Sequence, residues 1–383
     1  MKTVKLYDSD SYLCEFNAQV TDCIKKDDGY LIVLDKTAFF PEGGGQKADT
    51  GVIDGISVSD VQLENGVIFH KTLSPVEKGK SVSCGIDWDL RFRRMQNHSG
   101  EHIFSGLAHN IYGCENVGFH LGDEITVDFD KELNEAEIKN IERLSNKAIY
   151  KNVGITAEYP DEEALKTLNY RSKLELTEDI RIVTVDGIDV CACCAPHVSK
   201  SGEIGILKVL GFMRHRGGVR IFIKCGYDAF EDYGIKQQNL SEIAAALCAK
   251  QNEAAEAFSK FAKENAELKQ KLSRLNRELS QLKAQNMGCS DGNLLIFEEG
   301  LDMPSLRRVV LEGAKNAGKL CAGFSGNDND GYIYVIASQK IPLREISKKL
   351  NSSLSGKGGG SEELIQGSIK ATREETEKFF NEV

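Results

Sequence analysis

Long apolar runs are missing from this sequence of 383 residues. No stretch reaches the roughly 18 apolar residues that a membrane-spanning helix needs, which excludes a membrane span. The N-terminal residues Met1–Val4 also lack the apolar segment of a secretory signal. We therefore expect a protein of the cytoplasm, and its length predicts roughly two to four domains.

An excess of positive charge is missing as well, because 48 lysines and arginines face 58 aspartates and glutamates. The net charge of −10 argues against non-specific nucleic-acid binding by the whole surface. Local basic patches nevertheless lie just before and just after the motifs described below. The candidates for contacts with phosphates are Arg91, Arg93, Arg94, Arg214, Arg216 and Arg220. The alternative is that these arginines form salt bridges on the protein surface.

The cysteines do not form a paired set. Eleven of them, an odd number, are scattered through the chain, which does not fit a disulfide framework. Three of them, Cys191, Cys193 and Cys194, nevertheless crowd into one short stretch. In a reducing compartment this crowding favours metal ligation, with buried apolar thiols as the alternative. We expect no disulfides.

Apolar periodicity and turn signals predict an α+β protein with four parts. Residues 1–88 contain short alternating strands and predict a small β-barrel with a glycine-rich loop. Residues 89–229 predict an α+β core that opens on a helix carrying two histidines. Residues 230–288 predict a long helical segment, and residues 289–383 predict a small α/β domain.

Two glycine-rich runs stand out. The first contains Gly43-Gly44-Gly45-Gln46, where the backbone can take positive φ and approach a neighbour closely; a flexible hairpin loop is the alternative. The second, Gly356–Gly360, predicts glycines that open a helix and cradle a phosphate, with a plain linker as the alternative. No Gly-Lys-Ser/Thr follows at the required spacing, which excludes a Walker motif.

The long helical segment carries an apolar seam. Its residues recur at alternating steps of four and three, which indicates a coiled coil or a helical hairpin. A polar residue on the seam, Asn265, is of the kind that fixes register. Pairing is the favoured interpretation, and a long helix packed on its own domain is the alternative. The seam residues are Ala254, Phe258, Phe261, Asn265, Leu268, Leu272, Leu275, Leu279 and Leu282.

Two short motifs predict a metal site. His98 and His102 are four residues apart on a predicted helix, so both lie on one face. Cys193 and His197 repeat this separation about ninety residues later. Only seven histidines exist in the chain, and three of them belong to these motifs. Imidazole and thiolate together suit zinc. Cys194 or Cys191 could replace Cys193 as the sulfur ligand, and the spacing does not decide between a structural and a catalytic zinc.

A different interpretation of the first motif is a metallopeptidase. His98-Ser99-Gly100-Glu101-His102 has the form H-x-x-E-H, in which Glu101 is the general base. That interpretation leaves the Cys193–His197 motif, both glycine runs and the helical seam without a role.

The order of the motifs resembles the AlaX family, in its long form. These proteins are free-standing relatives of the editing domain of alanyl-tRNA synthetase. The resemblance covers nearly the whole chain, and its motifs are Phe40–Gln46 with Asp49-Thr50-Gly51, Asn97–His102, Gly118–Gly122, Cys193–His197 and Ser201–Gly205. The seam and the second glycine run look like the C-terminal domain of the synthetase. The residues after the ligand cysteine, Cys194 and Ala195, depart from the synthetase pattern.

The resemblance implies zinc-dependent hydrolysis of mischarged tRNA(Ala), chiefly seryl-tRNA(Ala) and also glycyl-tRNA(Ala). It implies zinc ligands at His98, His102, Cys193 and His197. It further implies pocket residues at Gly44, Gly45, Gln46, Thr126 and Asp128, and tRNA contacts and self-association in the C-terminal domain, with Gly358, Gly359 and Gly360 among the contacts. Because the chain starts directly with the β domain, we expect no aminoacylation. A non-catalytic tRNA-binding module with a structural zinc remains the second hypothesis.

Overall fold

A computed structural model describes residues 2–122, 124–172, 180–285 and 290–382. Within these ranges lie eight α-helices and twenty strands, which confirms the predicted α+β class. The chain divides into two compact units, Met1–Asn239 and Leu240–Val383. The finer division into four parts stays a prediction, and its boundary at residues 288 and 289 lies outside the described residues. No helix in the described ranges is long and apolar enough to cross a membrane.

The first unit begins with strands that close on themselves. The six strands β2, β3, β7, β6, β5 and β8 hydrogen-bond in this order around a closed barrel, and β1 pairs in parallel with β4. Buried and exposed residues alternate along β2 and β8, as a sheet with one face on a core requires. The strands are β1 (Val4–Lys5), β2 (Glu15–Lys26), β3 (Gly29–Leu34), β4 (Lys36–Thr37), β5 (Gly51–Ile53), β6 (Ile56–Glu64), β7 (Val67–Thr72) and β8 (Ser81–Ile86).

Helix α1 (Trp88–Tyr112) follows the barrel and carries both motif histidines. Asp87 caps it by accepting a hydrogen bond from the Leu90 amide, and Gly113 ends it in the left-handed conformation. The middle of α1, Met95–Gly106, is entirely buried because it packs against the helix and the strands that follow it. Side chains on α1 are therefore held in one place, as a binding site requires.

The rest of the first unit builds two small sheets around α1. One has the order β14-β15-β10-β9, and the other has the order β11-β12-β13. Asn134 and Glu137 form a capping box at the start of α2. The elements are β9 (Asn116–Leu121), β10 (Ile125–Phe129), α2 (Glu135–Lys151), β11 (Ile155–Glu158), α3 (Glu162–Thr167), β12 (Ile182–Val185), β13 (Asp189–Ala192), β14 (Leu207–His215), β15 (Gly218–Cys225) and α4 (Gly226–Ala246).

The second unit contains a long helix and a five-stranded sheet. The sheet has the order β16-β17-β18-β20-β19, with only β16 and β17 parallel. The apolar seam lies on a single helix, α5, and most of its large side chains are about half exposed. The elements are α5 (Ala254–Gln285), β16 (Leu294–Glu298), α6 (Met303–Asn316), β17 (Cys321–Asn327), β18 (Gly331–Ala337), α7 (Arg344–Ser353), β19 (Lys357–Gly360), β20 (Leu364–Ile369) and α8 (Arg373–Asn381).

The second glycine run is not where the sequence placed it. Gly358, Gly359 and Gly360 do not open a helix; they belong to β19, the exposed edge strand paired with β20. At Gly358 a Cβ would stand 2.2 Å from the Tyr334 hydroxyl and 2.5 Å from the Gln366 carbonyl oxygen. Glycine is therefore required by close strand packing, and the predicted phosphate cradle at a helix start is wrong.

Candidate metal centre

The two sequence motifs meet in space. Helix α1 presents His98 and His102 one turn apart, and the loop after β13 brings Cys193 and His197 to them. One ligand atom from each of the four residues lies within 4.8 Å of all the others. The Cys193 Sγ is 3.5 Å from His98 Nε2 and 3.4 Å from His197 Nε2. Four donors converging from two distant segments have the arrangement of a metal site.

Each of the three histidines is held by a partner at its other ring nitrogen. His98 Nδ1 is 3.0 Å from Gln46 Oε1, and His102 Nδ1 is 2.9 Å from Asp189 Oδ2. His197 Nδ1 is 3.1 Å from Ser99 Oγ, which also accepts the Val198 amide. Amide and carboxylate oxygens only accept hydrogen bonds, so the Nδ1 atoms of His98 and His102 carry the protons. Their Nε2 atoms are left with lone pairs, as ligand histidines need.

Asp189 is tied into the site from two sides. It accepts hydrogen bonds from Arg171 at 2.7 and 2.8 Å in addition to the one from His102. Burial alone would raise the pKa of Asp189, but the hydrogen bonds from His102 and Arg171 lower it to about 2. The carboxylate is thus ionised at neutral pH and fixes both the ring and the tautomer of His102.

The sulfur donor of the cluster is Cys193. Although burial acts to raise the pKa of its thiol, the adjacent His98 and His197 hold that pKa well below its ordinary value, which favours the thiolate that a metal binds. Burial raises the pKa of the Cys191 thiol to about 11. Cys191 lies in a second group with His102 and Asp189, where the Arg171 guanidinium already supplies the positive charge. Cys194 is exposed and stands outside both groups.

A cavity of about 280 Å³ opens onto one face of the cluster. Three of the four candidate ligands line it: His98, His102 and Cys193. Its lining among the described residues does not include His197, which we therefore assign to the far side. Glu101 and Asn116 also line the cavity and are hydrogen-bonded to each other; the Ser105 hydroxyl donates to Glu101 at 2.5 Å. The cavity thus joins the candidate metal ligands to a small set of fixed polar groups.

The first glycine run borders this cavity through Gly44. Gly45 has a φ of 83°, and a Cβ there would stand 2.1 Å from the Phe119 carbonyl oxygen. Gly45 thereby lets the loop lie against β9, where its carbonyl accepts the Leu121 amide. Gln46 is buried and supports His98, and its Nε2 has no hydrogen-bond partner among the described residues. Gly44 borders the cavity directly. Gly45 and Gln46 do not line it; Gly45 packs the loop against β9, and Gln46 contacts His98.

Thr126 and Asp128 are the two predicted pocket residues that belong to a strand after α1. Both are on β10, and neither is among the described residues that line the cavity. Asp128 accepts two hydrogen bonds from Arg220, at 2.6 and 2.7 Å, and these hold the pKa of its carboxyl below the usual value. Asp128 in turn neutralises the charge of Arg220 within the protein. The predicted pocket roles of Thr126 and Asp128 stay predictions.

The arginines ahead of the histidine pair are engaged within the protein. Arg91 is fully buried, forms an ion pair with Asp49 and donates to the Ala38 carbonyl at 2.6 Å. It therefore cannot reach RNA, and its predicted role is wrong. Arg94 is mostly buried and donates to the Ala48 carbonyl at 2.7 Å. Arg93 is partly exposed and pairs with two carboxylates on α4, Asp228 and Glu231.

The arginines after the cysteine cluster are more accessible. Arg214 is 86% exposed at its side chain and pairs with Glu132 at 3.4 Å. Arg216 is exposed in the turn between β14 and β15, with a φ of 47°. These two are the predicted phosphate-binding arginines of the first unit that the structure leaves at the surface.

The supporting partners of the histidines were not predicted as such. Asp189 is 87 positions from His102, and no local pattern marks it. Gln46 was predicted to border the pocket, but its contact with His98 could not be seen in the sequence. Ser99 lies inside the first motif, next to His98, so its proximity to the site was a usable signal.

The fold and the site together define a class: an α+β protein with a three-histidine, one-cysteine candidate metal centre beside a small cavity. Three family models match the chain: "tRNA synthetases class II (A)" over residues 7–90, "Threonyl and Alanyl tRNA synthetase second additional domain" over 180–221, and "DHHA1 domain" over 291–383. The second of these covers the segment that carries Cys193 and His197.

Individual relatives agree with this class. The alanyl-tRNA editing protein AlaX-L of Pyrococcus horikoshii is 30% identical over 97% of this chain and 96% of its own length. The chain therefore belongs to the family of AlaX-L, which confirms the resemblance seen in the sequence. Alanine–tRNA ligases of Pyrococcus abyssi and Methanopyrus kandleri are each 30% identical over 96% and 94% of this chain, which spans 42% of each ligase.

Proposed function

We propose that this protein hydrolyses the ester of mischarged tRNA(Ala), chiefly seryl-tRNA(Ala) and also glycyl-tRNA(Ala). The observation that carries the proposal is the convergence of His98, His102, Cys193 and His197 at the edge of a small cavity. Membership in the AlaX-L family supports it, because AlaX-L is named as an alanyl-tRNA editing protein.

Zinc fits the donor set. One thiolate and three imidazoles are ligands that zinc prefers, and the three Nδ1 contacts leave each Nε2 turned to the common point. Zinc held by His98, His102, Cys193 and His197 would supply a Lewis acid that makes an ester carbonyl more electrophilic and water more nucleophilic at a further position on the cavity side. An aminoacyl ester is already activated, so this assistance with good positioning suffices for hydrolysis.

The chain's own residues decide how the substrate enters. Because His98, His102 and Cys193 line the cavity, the ester approaches the centre from the cavity side. Asp189 keeps the proton on His102 Nδ1 throughout, which preserves the ligand geometry during turnover. The hydrogen-bonded pair Glu101 and Asn116 offers polar atoms to the amino acid. A site that pairs with the serine hydroxyl leaves a buried polar group unpaired when alanine enters, and so discriminates against correctly charged tRNA.

Binding of the tRNA body and self-association belong to the proposal. Arg214 and Arg216 are the exposed arginines available for phosphates. The edge strand with Gly358, Gly359 and Gly360 has an open backbone, and we retain it as a candidate contact. The half-exposed seam of α5 would bury its leucines in a homodimer.

Two other functions compete with this one. A non-catalytic tRNA-binding module would use the same zinc for structure alone. A metallopeptidase would use Glu101 as general base, and its place in the cavity beside His98 and His102 is the observation in favour. That function gives no role to the long helix or to the C-terminal sheet.

The experiment is a comparison of substrates. Purified protein is incubated with seryl-, glycyl- and alanyl-tRNA(Ala), and the loss of each ester is followed against the spontaneous rate. We expect rapid loss of serine, slower loss of glycine and little loss of alanine. Seryl ester loss at the spontaneous rate overturns the proposal and leaves the non-catalytic module. Cleavage of peptides by the same preparation would favour the peptidase.

A further inference from the structure

Two residues that line the cavity, Lys5 and Tyr159, take no part in the proposed hydrolysis. Lys5 comes from β1, and Tyr159 directly follows β11. Both line the same cavity as His98, His102 and Cys193. They reach it from the barrel and from the small β11-β12-β13 sheet, so the fold brings a cation and an aromatic ring together beside the candidate metal centre.

The Tyr159 ring is exposed and fixed at the same time. The residue as a whole is 49% exposed although it lines a cavity, and its hydroxyl donates to Asp8 Oδ2 at 2.8 Å. Asp8 in turn lies 4.0 Å from Arg181, which donates to the carbonyls of Cys193 and Ala195. The hydroxyl is thus anchored to the site while part of the ring stays open. Open aromatic rings in such positions are surfaces on which nucleic-acid bases stack.

Lys5 differs from the other cations of the cavity. Arg171 is bound by Asp189, and Arg181 is engaged by backbone carbonyls. No carboxylate in the described ranges forms an ion pair with Lys5, which is half-buried on a short strand. A lysine beside a cavity and without an internal carboxylate is suited to bind an anionic group of a ligand, above all a phosphate.

We propose that Lys5 and Tyr159 form a subsite for the terminal nucleotide of an RNA 3′ end. Tyr159 stacks on the terminal base, and Lys5 pairs with the phosphate on the 5′ side of that nucleotide. The amino acid esterified to its ribose then enters the cavity towards His98 and His102. The subsite rests on the proposed function, because it binds another part of the same substrate. It also accounts for recognition of the substrate end without any base-specific hydrogen bond.

The test measures separately what the phosphate and the base contribute to substrate recognition. Three seryl esters are compared: seryl-adenosine, which has no phosphate, seryl-CpA, which has one phosphate before the terminal adenosine, and a seryl ester of methyl riboside, which has no base. The variants are Lys5→Ala, Tyr159→Ala and Tyr159→Phe. Matched controls are Lys36→Ala, on the strand paired with β1, and Tyr150→Ala, an exposed tyrosine on α2; neither is among the described residues that line the cavity.

We expect Lys5→Ala to lower kcat/KM about tenfold for seryl-CpA and to leave seryl-adenosine unchanged, since only the former carries the phosphate. Tyr159→Ala should lower kcat/KM about tenfold for both adenosine esters and leave the riboside ester unchanged. Tyr159→Phe keeps the ring and should stay near wild type, as should both controls. Equal losses on all three esters, or no loss in either alanine variant, overturn the subsite.

Binding of a non-hydrolysable analogue, CpA with serine attached through a 3′ amide, keeps this test independent of catalysis. About tenfold weaker binding by Lys5→Ala and by Tyr159→Ala supports the subsite even if the wild-type protein hydrolyses no ester. In that case the proposed hydrolase function fails and the subsite stands. Unchanged binding in both variants overturns the subsite even if hydrolysis is rapid.

Discussion

Replacement of Asp189 by asparagine tests whether the supporting shell of the candidate metal centre is needed. In the wild type, Asp189 accepts the His102 Nδ1 proton at 2.9 Å and two hydrogen bonds from Arg171. Asparagine keeps the shape but removes the negative charge, and its amide nitrogen meets a donor on one side. The amide oxygen can still accept from His102 Nδ1, but the hydrogen bond that fixes the His102 tautomer is no longer charge-assisted, and Arg171 loses its counter-ion.

The expected size of the effect follows from comparable partners of metal-binding histidines. Loss of such a carboxylate weakens metal binding about 10- to 100-fold, which corresponds to roughly 1.4 to 2.7 kcal/mol. The assay is competition for zinc against a chelator of known affinity, followed by ester hydrolysis at saturating zinc. Asp186→Asn is the matched control, because Asp186 is an exposed aspartate three positions earlier. Wild-type zinc affinity in Asp189→Asn would show that the charge of Asp189 does not support metal binding by His102.

Three further predictions address other parts of the molecule. Glu101→Gln should reduce seryl-tRNA(Ala) hydrolysis only modestly; complete loss would indicate a general base. Burial lowers the pKa of His70 from 6.5 to about 4, so the unfolded chain takes up the proton first as pH falls. Stability to urea should therefore drop by about 2 kcal/mol from pH 7 to pH 5, and His70→Gln should flatten this dependence. Leu272→Glu with Leu275→Glu, both on the half-exposed seam, should convert a dimer to a monomer in sedimentation; unchanged association would argue against pairing through α5.

Local signals in the sequence were sufficient for helices α1 and α2 and for the candidate metal ligands. The ends of these helices are set by residues within a few positions: Asp87 rather than Asp89 caps α1, Gly113 ends it, and Asn134 caps α2. The spacing of His98 and His102 placed both on one helical face. Cys193 and His197 could be assigned to the same predicted site, because few histidines exist in the chain and these residue types suit one metal.

Partners chosen by tertiary packing could not be predicted. Arg91 and Arg93 have similar neighbours in the sequence. Arg91 is nevertheless buried against Asp49, because the barrel packs on α1 at that point. Gly358 has the conformational freedom of any glycine, and its place in an edge strand depends on Tyr334 and β20. Asp189 and Gln46 reach their histidines from other elements, so no spacing rule along the chain could have found them.

The most direct test of zinc-dependent hydrolysis at this site measures zinc content and seryl-tRNA(Ala) hydrolysis on the same protein preparations. Wild-type protein is compared with the double variant His98→Ala/His102→Ala and with wild-type protein stripped by a chelator and reloaded with zinc. We expect stoichiometric zinc and rapid ester loss in the wild type, neither in the double variant, and recovery of both on reloading. Full hydrolysis by the zinc-free protein would contradict this expectation.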